Sequence, residues 1–299
     1  MRVGANEKEP LWFSRDRLFY RQMGIKTSFT RYATKFSRAT TKARQLSTQV
    51  SLTNRQGHVT RAGSYHPLLI GDFSTRELFN ERLAWQEDRP MTAQLVRHVM
   101  PCTKFIVMMR NPTERLFSDY VYFMKKTPAA ISAQHFHRRV TESIDWWNQC
   151  RARFPLQKCL FGSPPELPPV FTGRNAECWQ SDVVCPYIRI GLYYHILVEW
   201  LKVFPRESFL FIRTEDYKEN ELEILNNIVF PFLAIPAFSE DESQLVSNME
   251  RQFPSKHGDF KEALKGVEML PKTRAIIQEF YREPNEKLAE LLNDDRYQW

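Results

Sequence analysis

No run in the 299-residue chain approaches the ~18–20 apolar residues that a membrane-crossing helix needs, so no membrane span is expected within it. The basic N-terminus lacks the apolar stretch of a secretory signal. None of the five cysteines sits in a Cys-x-x-Cys pair and no histidine cluster accompanies them, so no metal site is expected. No internal repeat is visible, which argues against solenoid and propeller arrays. Acidic residues are nearly missing from one stretch. Between Arg15 and Arg61 eleven lysines and arginines stand against Asp16 alone, more than the net +7 of the whole chain.

That basic segment, residues 15–62, would attract polyanions: nucleic acid, sulfated polysaccharide or anionic lipid. A solvated basic arm has the same composition. Phe29, Tyr32 and Phe36 recur at helical spacing within it, which predicts a partly packed helix and loop. Cys150, Cys159, Cys178 and Cys185 crowd into a Pro-rich stretch, as loop staples in an oxidising compartment would. Their connectivity stays open on composition. Cys102 begins a predicted core strand and reads as a buried free thiol.

The length suits a single domain over residues 1–299, with the basic segment inside it. Strands are expected over residues 65–72, 104–110 and 208–216. Helices are expected over 75–85, 91–99, 113–126, 131–150, 191–204, 219–232 and 272–292, with loop from 151 to 186. This alternation predicts an α/β fold with a parallel sheet covered by helices on both faces. Ligands of such sheets sit beyond the carboxyl ends of the strands, where Arg110 falls.

Arg110 is followed by Asn111-Pro112 and then an amphipathic helix carrying Leu116, Tyr120 and Phe123 on one face. A strand-end guanidinium beside a helix N-terminus is a suitable anion site, because it offers a planar fork of donors next to free N–H groups. Ser118 could reach the same anion if the first residues after Pro112 formed a turn. A plain Arg110–Glu114 pair with a solvated Ser118 fits the spacing equally well.

The stretch "IVMMRNPTERLFSDYVYF" resembles the 3′-phosphate-binding motif of the sulfotransferases that use 3′-phosphoadenylyl sulfate (PAPS), through Arg110, Asn111, Pro112, Arg115, Ser118 and Tyr120. The blocks "KEPLWF", "GLYYHILVEWLKVFPRESFLFIRTEDY" and "IIQEFYREPNEKLAELL" are similar, in the same order, to Golgi carbohydrate sulfotransferases acting on the 6-hydroxyl of N-acetylgalactosamine 4-sulfate in chondroitin sulfate. The resemblance implies PAPS as sulfonate donor, without a metal, and a P-loop-type parallel sheet flanked by helices. It implies that Arg110 and Ser118 bind the 3′-phosphate, and that Cys150 pairs with Cys159 and Cys178 with Cys185. It also implies Glu9, in Lys8-Glu9-Pro10-Leu11-Trp12-Phe13, as general base, with Lys8 beside the acceptor. Ser74, in Gly71-Asp72-Phe73-Ser74, would face substrate, and Lys256, in "PSKHGDFKEALKG", would reach the nucleotide.

The chain departs from that pattern in two places. Leu11 stands where the family usually has histidine, and no Pro-Lys-x-Gly-Thr-Thr segment precedes Lys8 to cradle the phosphosulfate. The expectation is therefore a chain without the family's first strand, weak in transfer by itself. The leading reading is sulfonate transfer to a sulfated glycosaminoglycan in the Golgi lumen, the full-length form being a type II membrane protein. The alternative is a sulfotransferase-like glycan-binding protein. Nucleic acid is not expected as a partner, because no recognised binding motif accompanies the basic segment.

Overall fold

The computed structural model describes residues 3–4, 48–53, 59–65, 70–71, 78–79, 90–124, 131–161, 188–248 and 267–299. The chain divides into two compact units, residues 1–95 and 96–299.

In the first unit, β1 (Val3–Gly4) pairs in parallel with β4 (Ile70–Gly71), Val3 opposite Ile70. Between them in sequence, β2 (Thr48–Thr53) and β3 (Val59–Tyr65) run antiparallel, with the register slipping between Leu52 and Thr53. The basic segment thus contains strand, where its composition led only to helix and loop. Phe29, Tyr32 and Phe36 lie outside the described residues, as does the expected helix at 75–85 except for Leu78 and Phe79, which form a turn.

The second unit is built on a parallel pair. Helix α1 (Thr92–Val99), across which the division falls, leads to β5 (Phe105–Met109), whose partner is β6 (Phe209–Arg213). Phe105 lies opposite Phe209 and Met109 opposite Arg213. After β5 come α2 (Pro112–Phe123), α3 (Ala133–Arg153), α4 (Leu156–Phe161) and α5 (Tyr193–Leu201). After β6 come α6 (Thr214–Glu219) and α7 (Glu221–Ile224), which passes through a π turn (Leu225–Val229) into α8 (Phe230–Leu233). Then follow α9 (Glu240–Ser247) and α10 (Pro271–Leu292).

One sheet face is filled by aromatics. Phe105 stacks on Phe209 with centroids 4.8 Å apart and meets Trp200 and Phe204 edge-on at 5.2 and 4.8 Å. Val107 and Met109 are buried. Helix α10 turns Thr273, Ile277, Tyr281 and Leu288 inward at three-to-four-residue spacing and packs against α2, α3 and α5. On the other face Ile212 joins a cluster with Ile224 and Val229, so helices cover β6 there. That cover stops short of β5, where Ile106 and Met108 are 40% and 45% exposed. The run 105–109 therefore reads as doubly buried in sequence but is buried on alternate residues only.

Two further expectations are corrected. Cys102 is an exposed free thiol, because the chain turns at Pro101-Cys102 and the strand begins only at Phe105. The stretch expected as loop from 151 opens instead with helix: α3 runs on to Arg153, breaks before Pro155, and α4 folds back so that Cys150 and Cys159 form a disulfide. That bridge is the pairing implied by the resemblance. Cys178 and Cys185 lie outside the described residues.

Candidate anion-binding site

At the carboxyl end of β5 the sequence changes from apolar to Arg110-Asn111-Pro112, and the backbone changes from strand to helix. Asn111 makes the change possible. As N-cap of α2, its side-chain oxygen accepts from the N–H groups of Thr113 (2.9 Å) and Glu114 (3.4 Å), while Pro112 needs no acceptor at the first helical position.

Three hydrogen bonds from elements distant in sequence fix this corner. Thr214 Oγ1 donates to the Met109 carbonyl at 3.0 Å, and the Tyr193 hydroxyl donates to the Arg110 carbonyl at 2.9 Å. The Asn111 N–H donates to Glu215 Oε1 at 2.9 Å. Consecutive residues 109, 110 and 111 are thus each held, two by the start of α6 and one by α5. Burial pushes the Tyr193 phenol above its ordinary pKa, so it stays protonated and donates.

The Arg110 guanidinium makes no hydrogen bond or ion pair among the described residues, and the side chain is half-buried. Glu114 does not take it, because Glu114 pairs with Arg274 of α10. That pairing removes the alternative left open by the spacing. Ser118 is exposed. Helix begins at once at Pro112, so the turn that would have brought Ser118 to the corner is not formed. At ~1.5 Å rise per residue Ser118 stands roughly 10 Å along the axis from Asn111. A shared anion therefore depends on the length of the Arg110 side chain reaching along α2.

Arg115, the second arginine of the motif, is differently placed. Its side chain is 13% exposed and its guanidinium pairs with Asp119 one turn on. Burial works to lower its pKa, but Tyr193, Tyr281 and Asp119 around it raise the pKa above its ordinary value. Tyr281 is itself fully buried, donates from its hydroxyl to the Ile188 carbonyl at 2.7 Å, and has its phenol pKa raised by that burial. Tyr120, also fully buried, bonds the backbone of Ser132 and lies 3.0 Å from His135 Nδ1, tying α2 to the start of α3. Arg115 and Tyr120 support the helix, while the half-buried Arg110 guanidinium at the strand end is unpaired among the described residues.

The structure thus describes two of the six expected site residues, Arg110 and Ser118. Lys8, Glu9, Ser74 and Lys256 lie outside the described residues. Sequence reasoning missed Tyr193, Thr214 and Glu215. The expected strand runs on through Thr214 and Glu215, whereas β6 ends at Arg213 and α6 begins at Thr214. The signal left was a Thr-Glu pair and a tyrosine opening an apolar helix, neither distinctive without the contacts. His195 lies in α5 with its pKa lowered by burial and then by Lys287. Among the described residues no group of His, Cys, Asp or Glu is arranged to hold a metal ion, and no helix is long and apolar enough to cross a membrane.

The crystal structure of a sulfotransferase from Alicyclobacillus acidocaldarius superposes with a TM-score of 0.55 at 17% identity, over 98% of this chain and 85% of that one. That likeness gives the fold: α/β, helix-rich, with a parallel sheet. Residues 41–274 match the sulfotransferase domain family, and the chain belongs to that family. Carbohydrate sulfotransferase 15 of Mus musculus is 30% identical over 241 residues, 78% of this chain and 39% of the mouse protein. Its Homo sapiens counterpart is 29% identical over the same extent. Heparan sulfate glucosamine 3-O-sulfotransferase 6 of Homo sapiens is 26% identical over 209 residues, 66% of this chain and 50% of that protein. The chain thus spans 39% of the length of the carbohydrate sulfotransferase 15 relatives from mouse and human.

Proposed function

We propose that the protein transfers a sulfonate group from PAPS to a hydroxyl of a sulfated glycosaminoglycan, the acceptor being the 6-hydroxyl of N-acetylgalactosamine 4-sulfate in chondroitin or dermatan sulfate. The observation that carries this reading is the Arg110 guanidinium, without a partner among the described residues, on a corner held by three long-range hydrogen bonds inside the family-matched region. Such a group is preorganised for an anion because little has to move when the anion arrives. The likeness to carbohydrate sulfotransferases supports a glycan acceptor.

In this reading Arg110 holds the 3′-phosphate as a charge-assisted fork, with Ser118 completing the grip from α2 and Lys256 closing over the nucleotide. Bound PAPS supplies an activated sulfonate. Glu9 takes the proton of the acceptor hydroxyl, whose oxygen bonds to sulfur while the sulfur–oxygen bond to the 5′-phosphate breaks and its electron pair leaves with the phosphate. Lys8 and Ser74 line the acceptor side. The basic segment 15–62 gives a polyanionic chain a path of matching charge. A luminal Golgi setting, in a membrane-anchored full-length form, agrees with the Cys150–Cys159 bridge, because disulfides persist in oxidising compartments.

The test is transfer of radiolabelled sulfonate to chondroitin sulfate A, to chondroitin without 4-sulfate, and to heparan sulfate. Label at the 6-position of 4-sulfated residues, lost in Glu9→Gln, is expected. Binding of chondroitin sulfate with no transfer to any acceptor would favour a glycan-binding protein instead. Label going mainly to heparan sulfate would overturn the acceptor assignment.

A further inference from the structure

Glu215 is the second residue of α6, the helix that follows directly on β6. The parallel register sets Arg213 opposite Met109, so two residues further on Glu215 comes level with Asn111 across the ends of the two strands. Its Oε1 accepts the Asn111 N–H at 2.9 Å over 104 residues of sequence. The other oxygen, Oε2, is buried and has no hydrogen-bond partner among the described residues. Nearby cations are engaged elsewhere: Arg213 pairs with Asp216 at 3.2 Å, and Arg296 bonds Asp216 and Asp294. Glu215 therefore takes part in none of the ion pairs around it. Its hydrogen bond among the described residues goes to the backbone of the residue after Arg110.

That bond is local to the direction in which Arg110 points. The Asn111 N–H lies on the peptide that joins Arg110 to the helix cap, while the Asn111 side chain is occupied in capping α2. A helix cap leaves its own backbone N–H outside the helical ladder, so this donor needs an acceptor from elsewhere. Tyr193 holds the carbonyl of the same peptide. The peptide plane is thus gripped on both edges, N–H by Glu215 and C=O by Tyr193, which fixes the backbone dihedral from which the arginine side chain departs.

We infer that Glu215 is a positioning residue for the 3′-phosphate grip: by accepting the Asn111 N–H it holds the strand-to-helix corner in the orientation that aims the Arg110 guanidinium at the anion. The inference rests on the reading of Arg110 as the 3′-phosphate ligand. The active feature is the accepting oxygen at the right reach, not the negative charge, so an amide oxygen at the same place serves and a shortened carboxylate does not.

The experiment titrates adenosine 3′,5′-bisphosphate and adenosine 5′-monophosphate into the full chain, with thermal melts of every variant in parallel. The two ligands differ by the 3′-phosphate alone, so their affinity ratio reads that grip and cancels losses shared by the rest of the nucleotide. The wild type is expected to prefer the bisphosphate by at least about tenfold, the size of a charge-assisted contact. Glu215→Ala and Glu215→Asp should collapse that preference to within about threefold, while monophosphate affinity stays put and Glu215→Gln keeps the wild-type ratio. The aspartate variant, which retains a carboxylate, stands in if the alanine variant does not fold. A wild-type ratio surviving in the alanine or aspartate variant overturns the inference, as does parallel weakening of both ligands or loss of the ratio in Glu215→Gln. No preference in the wild type overturns the Arg110 reading itself, and the inference with it.

Discussion

Replacing Arg115 by methionine removes a charge from a largely closed site while keeping most of the side-chain length. The loss falls on a guanidinium that is 13% exposed and is paired with Asp119, which is 32% exposed. Removing one partner of a fully buried ion pair costs about 3–5 kcal/mol, because the other charge stays behind without compensation. Asp119 keeps some contact with water, so the cost here should be nearer ~2–3 kcal/mol. For a unit of about 200 residues that corresponds to a fall in Tm of roughly 5–10 °C. The assay is urea unfolding with thermal melts, joined to titration of adenosine 3′,5′-bisphosphate at a temperature where the variant is still folded. Affinity should change less than about threefold, since Arg115 is spent inside the α2–α5–α10 interface. Asp119→Asn in the methionine background should recover part of the lost stability by removing a carboxylate that has lost its Arg115 partner. Unchanged stability together with a large loss of nucleotide affinity would refute the division of labour between the two arginines.

Other expectations concern stability. Gly191→Ala should cost about 1–3 kcal/mol by denaturant unfolding, because a Cβ there would lie 2.7 Å from the buried Tyr281 ring; Gly191→Ala unfolding like the wild type would mean that contact is slack. Reducing the Cys150–Cys159 bridge, or replacing both residues by serine, should cost ~2–3 kcal/mol, as expected for a closed loop of this length with 9 residues of separation; a free thiol count of two at these positions in protein from a secretory host would contradict the luminal setting. Burial holds the pKa values of His135 and His195 below their ordinary 6.5. The unfolded chain then binds more protons just below pH 6.5, so stability should fall as pH drops from about 6.5 towards 5.5 and stay level above it. Flattening of that slope in His195→Asn is the check, and an unchanged slope in a variant lacking both histidines would contradict it.

Local chemistry was readable from the sequence, and contacts across the sheet were not. The capping geometry of Asn111-Pro112 is written within four residues, so the strand-to-helix corner and α2 were found where expected. The inward face of α10 follows from its own spacing. Tyr193 and Glu215 reach Arg110 and Asn111 across 83 and 104 residues, and nothing in their neighbours announces the partner. Pairing of β5 with β6 likewise depends on a crossover of about 100 residues, and only that pairing shows that Ile106 and Met108 stay outward. Cys102 was misplaced for a similar reason: apolar neighbours mark a strand, but they do not mark its first residue. The motif already gives the 3′-phosphate to Arg110 rather than Arg115; what the fold adds is the setting of the second arginine, around which Asp119, Tyr193 and Tyr281 close.

The central claim is that Arg110 grips the 3′-phosphate of the sulfonate donor's nucleotide. Isothermal titration of adenosine 3′,5′-bisphosphate into the wild type and Arg110→Ala tests it most directly. Loss of a charge-assisted, two-pronged contact should weaken binding by ~2–4 kcal/mol, roughly 30- to 1000-fold, with the melting temperature held within a few degrees. Binding by Arg110→Ala within about threefold of the wild type would contradict the account.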